Sequence, residues 1–185
     1  MSISVIEIEN KIYKIVRLNH NWIDLLIWDK LNTDESIDKV GIIMINLFKQ
    51  TFKYLFLFIM GGIIYYYIEI AYRQHSHWTM LILGGTCYVL IGAINEVISW
   101  EMALWKQMLI GSGIITVLEF ITGVIVNIIL RWNVWDYSNV PFNVLGQICA
   151  PFMIVWFFIS LLAIVVDDYT RYWFFGEEKP HYTLI

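Results

Sequence analysis

Four apolar runs, each long enough to cross a bilayer and almost free of basic residues, constrain this chain more than any other feature. They extend from about Tyr54 to Ala71, Trp78 to Ser99, Gln107 to Leu130 and Asn143 to Val166. A spanning helix needs about 20 mainly apolar residues, and in hydrocarbon only helices and closed barrels satisfy every backbone hydrogen bond. The runs are too long for barrel strands. The sequence therefore predicts an all-α, polytopic membrane helical bundle of about four spans over residues 54–168. The composition agrees, with 59% hydrophobic and only 15% charged residues.

The remaining residues frame this bundle. Seven of the twelve Lys and Arg precede Tyr54. Residues 1–39 read as a small N-terminal cytoplasmic region. Within it residues 4–18 alternate apolar and charged side chains about a turn at Asn10-Lys11, which favours a short hairpin. Residues 21–31 suggest a helix with one apolar face. Asn32 with Glu35 three residues on resembles a capping box that starts a further helix. In that helix Ile37, Val40, Met44 and Leu47 recur at steps of three and four, so 40–53 reads as an amphipathic helix lying on the membrane surface. Residues 169–185 form a tail. Met1 to Asn19 mixes charges with apolar residues, unlike a cleavable signal.

Aromatic side chains mark the borders of the runs. Trp78, Trp100, Trp105, Trp132, Trp135, Tyr169, Tyr172 and Trp173 stand where interfacial belts form, because an apolar ring with a polar tip suits the headgroup level. The N-terminal region, the break at Lys106 and the tail hold ten of the twelve basic residues, against Arg73 and Arg131 in the other two breaks. Basic residues stay inside, so both termini are expected in the cytoplasm of a multi-pass cell-membrane protein. No basic patch points to nucleic acid. Cys87 and Cys149 fall inside spans, where a thiol acts as a small apolar filler.

The third span carries the strongest chemical signal. Ser112, Thr116, Glu119, Gly123 and Asn127 follow one another at steps of four, three, four and four, which at about 100° per residue collects them on one side of a helix. Leu118, Ile121, Ile125 and Ile128 cover much of the rest. The polar stripe should face a partner helix or a cavity. Glu119 lies about 20 Å along the helix from its start at 1.5 Å per residue, well inside the hydrocarbon. An ionisable group there is costly and marks ion, proton or substrate contact unless it bridges helices by hydrogen bonds. Glu69 and Glu96 are nearer span ends, where a hydrogen-bonded or water-accessible end residue is the simpler reading.

Other features are weaker. His75-Ser-His77 has no evident third ligand, so no metal and no cofactor are expected. The paired and single glycines of the spans let helices approach closely. Pro141 suits a helix entrance, where a missing N–H costs nothing, and Asp136 and Ser138 suit turn and capping bonds or an external binding surface.

The run Trp135-Asp136-Tyr137-Ser138, then Pro141-Phe142-Asn143 and Gly146-Gln147-Ile148-Cys149, resembles the signature of CmpB-type ABC transporter permeases. Glu119-Phe120, Gly123 and Glu69 fit the same pattern, and the resemblance covers roughly residues 60–182. The loop after the first span departs from it: RQHSHWTMLILGG lacks the family's proline elements. The resemblance implies a transporter or permease-like subunit, and the depth of the carboxylates within the spans suggests that they contact a cation or polar solute. Candidate contacts are Glu119, Asn127, Thr116, Ser112, Glu69 and Glu96, with Trp135, Asp136, Tyr137, Ser138, Asn143 and Gln147 in the external loop. No phosphate-loop motif is present, so an ATP-driven version needs a separate ATPase chain. A thin four-span bundle also suggests a homo-oligomer or a partner membrane subunit. The alternative is a non-transporting regulatory or assembly subunit. An intramembrane enzyme acting on lipid ranks below both, because nothing pairs a nucleophile with a base at a usable spacing.

Overall fold

Alternation at the N-terminus and long apolar runs beyond it produce two kinds of structure. The computed structural model of the chain describes residues 2–8, 11–17, 27–28, 35–98 and 100–184. Two compact units follow from its contacts: Met1–Lys53 with Thr170–Lys179, and Tyr54–Tyr169 with Pro180–Ile185.

In the first unit β1 (Ser2–Ile8) and β2 (Lys11–Arg17) pair antiparallel from Ser2↔Arg17 to Ile8↔Lys11, so the alternating segment is a hairpin. Asn10 and the capping start at Asn32 lie outside the described residues. Ile27 and Trp28, expected in a helix, instead form β3 and pair with Lys14 and Tyr13. A β-branched and an aromatic residue together favour a pleated edge. The rest of 21–31 lies outside the described residues. Helix α1 (Glu35–Arg73) runs unbroken for 39 residues, so the amphipathic stretch and the first span are one helix. Lys53 on α1 meets Glu177 at 2.8 Å.

Among the described residues four helices are long and apolar enough to cross a membrane: Gly41–Arg73, Trp78–Val97, Leu104–Ile129 and Ala150–Phe175. The second is α2 (Trp78–Gly92) continued, after a break at Ala93, by α3 (Ile94–Val97). The third is α4 (Leu104–Gly123) continued by a π-helical segment, Val124–Ile129. The fourth, α5 (Ala150–Phe175), starts seven residues after the expected Asn143 and runs past Val166. Asn143–Val144 (β4) and Ile148–Cys149 (β5) form a small antiparallel ribbon in place of that first turn. The reason is local: Phe142, Leu145 and Gly146 have φ of 56°, 52° and 68°, and a right-handed helix cannot pass through such residues. Pro141 is therefore in the turn. The proline that enters the helix is Pro151, at its second position, where no backbone donor is required.

In the second unit α1 and α2 pack through reciprocal glycines. A Cβ at Gly62 would stand 2.5 Å from the Leu81 carbonyl oxygen, and one at Gly85 would stand 2.5 Å from that of Phe58. Backbone meets backbone at two points, which only glycine allows. Half of the most apolar window of the second span is buried, against 22% for α5, so α2 is an inner helix. Outward faces keep Ile82, Leu90, Ile121, Ile125 and Phe158 exposed. So continuous an apolar exterior fits lipid and not water. At the end opposite the β4–β5 ribbon, the Leu104 amide donates to the Thr183 carbonyl at 2.7 Å, Trp100 stacks on His181, and Tyr182 and Asn95 both donate to Asp168. Tyr182 and Thr183 are thereby tied into the second unit. Burial, with Asp168 beside it, holds the Tyr182 hydroxyl well above its usual pKa, so it remains a donor.

Candidate functional site

Helical spacing alone gathers the polar stripe of the third span. Ser112, Thr116, Glu119, Gly123 and Asn127 are all buried, whereas Ile121, Ile125 and Ile128 are exposed. The π-helical segment widens the last turn, so the four-residue step from Gly123 to Asn127 stays on the inner side. Its side chains have separate partners. Ser112 donates to the Met153 carbonyl of α5 at 2.9 Å, and Thr116 donates back to the Ser112 carbonyl at 2.8 Å. Both hydroxyls are engaged in joining or satisfying helices.

Asn127 anchors the following loop. Its amide donates to Gln147 Oε1 at 2.8 Å, and its Oδ1 accepts from the Val134 amide at 2.7 Å. Trp135 completes this buried knot by donating from Nε1 to the Gln147 carbonyl at 2.9 Å. The same loop is clipped to the end of α1, where Arg73 pairs with Glu69 at 2.6 Å and donates to the Val134 carbonyl. Ser76 also donates to Glu69. Glu69 is thus a hydrogen-bonded end residue. Glu96 is remote from both groups: exposed, it accepts from the Tyr54 hydroxyl at 2.8 Å.

Asp136, Ser138 and Asn143 shape the exposed turn. Asp136 Oδ1 accepts from the Ser138 hydroxyl at 2.5 Å and from the Ser138 amide at 2.8 Å. Asn143 donates to the Ser138 and Val140 carbonyls and accepts from the Gly146 amide. The Ser138 hydroxyl, then its amide, hold the Asp136 carboxyl below its ordinary pKa. A depressed folded-state pKa gives a contribution fully present above the ordinary Asp value of about 3.9 and lost as pH falls through the lower folded value. The Ser138 amide proton shift, followed by NMR in detergent, should accordingly inflect below about pH 3.9 and become flat in Asp136→Asn. An inflection at or above that value contradicts the turn geometry.

Tyr137 turns inward from this loop. Its ring stacks on Phe152 at 4.7 Å, which aims the hydroxyl at Glu119 Oε1, 3.0 Å away. Burial, reinforced by the Glu119 carboxylate, raises the Tyr137 pKa well above its usual value, so the hydroxyl stays protonated and donates. Glu119 Oε2 accepts from Trp156 Nε1 at 2.8 Å. Glu119 is only 2% exposed and lines a cavity of about 230 Å³ among α1, α2, α4 and α5. Tyr65, Leu83, Cys87, Ile115 and Trp156 form its inner wall, so one carboxylate faces an otherwise apolar space. Of the candidate contact residues read from the sequence, Glu119 alone lines this cavity.

Sequence reasoning missed Trp156 and Tyr65. The available signal was position, since both are aromatic residues within spans and away from the belts where such rings usually stand. It also missed Asp167 and Asp168, fully or nearly buried in the continuation of α5. Among the described residues no group of three His, Cys, Asp or Glu side chains is placed to hold a metal. His77 accepts from the Thr79 amide at the start of α2 and packs against Trp78 and Trp132.

A bundle of four apolar helices with lipid-like outer faces defines a multi-pass membrane protein. The family model described as "Putative ABC-transporter type IV", the CmpB family, matches residues 56–176, and the chain belongs to that family. No curated protein and no solved structure gives a match.

Proposed function

We propose that the chain is the membrane-spanning subunit of a transporter, and that Glu119 contacts a cationic or hydrogen-donating group of the solute inside the cavity. The observation that carries this reading is a single carboxylate, held by Trp156 and Tyr137, at an apolar cavity within the spans. Ionisable groups at such depth are expensive and serve ion, proton or substrate pathways. The apolar walls also narrow the solute. A small hydrated cation entering there loses its water with one carboxylate in exchange, which is unfavourable. A molecule with an apolar body and one charged or donating group fits better.

Asn127, Gln147, Trp135 and the Asp136 turn hold the loop that delivers Tyr137, and Glu69 with Arg73 clips that loop to α1. In this reading they position the site without touching solute. Glu96, Ser112 and Thr116 take no part in it. Both termini face the cytoplasm by the distribution of basic residues, and an ATPase chain supplies ATP hydrolysis, since this sequence has no phosphate loop.

Reconstitution tests the reading. Proteoliposomes holding the chain with its co-purified subunits should take up ethidium, an apolar cation, faster than protein-free vesicles. Glu119→Gln should lower the rate by about tenfold, the effect of losing ~1.4 kcal/mol. Equal rates in the two proteins overturn the reading. A second reading draws on the same geometry: both Glu119 oxygens already accept bonds, so the residue would serve purely as a bridge between α4, α5 and the loop in a non-transporting regulatory or assembly subunit.

A further inference from the structure

The side on which the cavity opens identifies what can enter it. Leu83, Cys87, Ile115 and Trp156 of its inner wall are buried, but four lining residues on the outer helices are exposed: Ile64 and Ile68 of α1 at 40% and 41%, and Leu162 and Val166 of α5 at 59% and 42%. All four are apolar and lie within spans. The mouth therefore lies between α1 and α5 and faces the hydrocarbon of the bilayer. On α5 the lining extends from Trp156 to Val166, about 15 Å at 1.5 Å per residue, and on α1 from Gly61 to Ile68, about 10 Å. The space is a slot running along the helices, in the direction in which lipid chains lie.

Size and chemistry select the occupant further. An apolar cavity of about 150 Å³ already accepts a benzene ring, so about 230 Å³ accommodates an extended alkyl segment. An alkyl chain gains little by leaving lipid tails, which are as apolar as the walls. Selectivity has to come from Glu119. An amphiphile's ammonium gives up its interfacial water to reach Glu119, but the ion pair and hydrogen bonds formed there compete with none, and the buried alkyl chain holds the head in place.

We infer that the cavity is a lateral binding site for a single-chain amphiphile taken from the bilayer, its alkyl chain in the slot and its ammonium head on Glu119. The inference rests on the functional reading above, in that it takes the same cavity as the solute site and names the solute class.

The probe is hexadecylamine carrying a mid-chain diazirine, incorporated with the full-length protein into phosphatidylcholine nanodiscs and photolysed. Adducts are mapped by mass spectrometry. Adducts are expected on Cys87 and Ile115 of the inner wall as well as on the outward Ile121 and Ile125. Excess unlabelled hexadecylamine should reduce the inner adducts by about tenfold and leave the outer ones unchanged. Glu119→Gln and Ala163→Phe, which fills the slot from α5, should do the same, and the competition in the wild-type protein needs no variant to fold. A diazirine-bearing hexadecane of equal length should label only the outer residues. Inner residues left unlabelled, or labelled equally by the headless alkane, overturn the inference. Inner labelling with unchanged ethidium flux in Glu119→Gln keeps the binding site and removes the transport reading. Altered flux without inner labelling keeps the transport reading and removes the amphiphile.

Discussion

Gly85→Leu is expected to stop the α1–α2 pair from closing, with loss of monodisperse protein in detergent and a destabilisation of about 3 kcal/mol or more, the upper end for overpacking. The first side-chain atom alone would lie 2.5 Å from the Phe58 carbonyl oxygen and 2.9 Å from its ring. A ring can turn aside, but a backbone carbonyl inside a helix cannot move without breaking helical hydrogen bonds. Gly62→Leu should behave alike, because its Cβ meets the Leu81 carbonyl at the same distance. Lipid tails offer no hydrophobic drive for helix association, so close van der Waals contact supplies much of it and separating the backbones forfeits it. The control is Gly113→Leu on α4, whose Cβ would meet nothing within 4 Å. It should be neutral, or stabilised by up to ~1 kcal/mol through better helix propensity. Thermal unfolding in micelles compares the three. Equal midpoints for Gly85→Leu and Gly113→Leu would refute the close-packed hairpin.

The contrast between those glycines also shows what sequence spacing conveys. Periodicity is a local property, so the stripe from Ser112 to Asn127 and its burial could be read from steps of three and four. The N-terminal hairpin was legible for the same reason, from alternation. What spacing does not encode is which distant residue completes a contact. Glu119 takes its partners from 18 and 37 residues away, one in a loop and one on the next helix. Neither separation has a period to betray it. The start of the fourth span failed for a different reason: residues 143–149 are apolar enough to continue a span, but positive φ at Leu145 and Gly146 turns the backbone into a ribbon first. Hydropathy reports the environment a segment prefers and not the path its backbone takes. The choice between Pro141 and Pro151 as the helix entrance turned on that path.

Glu119→Ala is expected to cost about 3–5 kcal/mol of unfolding free energy, combining a buried unsatisfied donor with lost side-chain volume. The Trp156 N–H is the reason for the large value. It is buried, it donates to Glu119 at 2.8 Å, and its indole has no acceptor capacity with which to find another role. The half-buried Tyr137 hydroxyl can rotate and loses less. Trp156→Phe removes the orphaned donor, and Glu119→Ala with Trp156→Phe should be less destabilised than the sum of the single variants, by about 1–3 kcal/mol in a double-mutant cycle. Strict additivity would show that the pair is not coupled. Glu119→Gln should remain within ~1 kcal/mol of the wild type, because its carbonyl oxygen still accepts from Trp156 while its amide donates to the Tyr137 oxygen. Trp156 and Tyr137 thus tolerate a neutral amide, whereas an ammonium head in the slot does not. A transport or binding defect in Glu119→Gln at unchanged stability then has to come from the carboxylate's charge, which separates a solute contact from a bridge between helices.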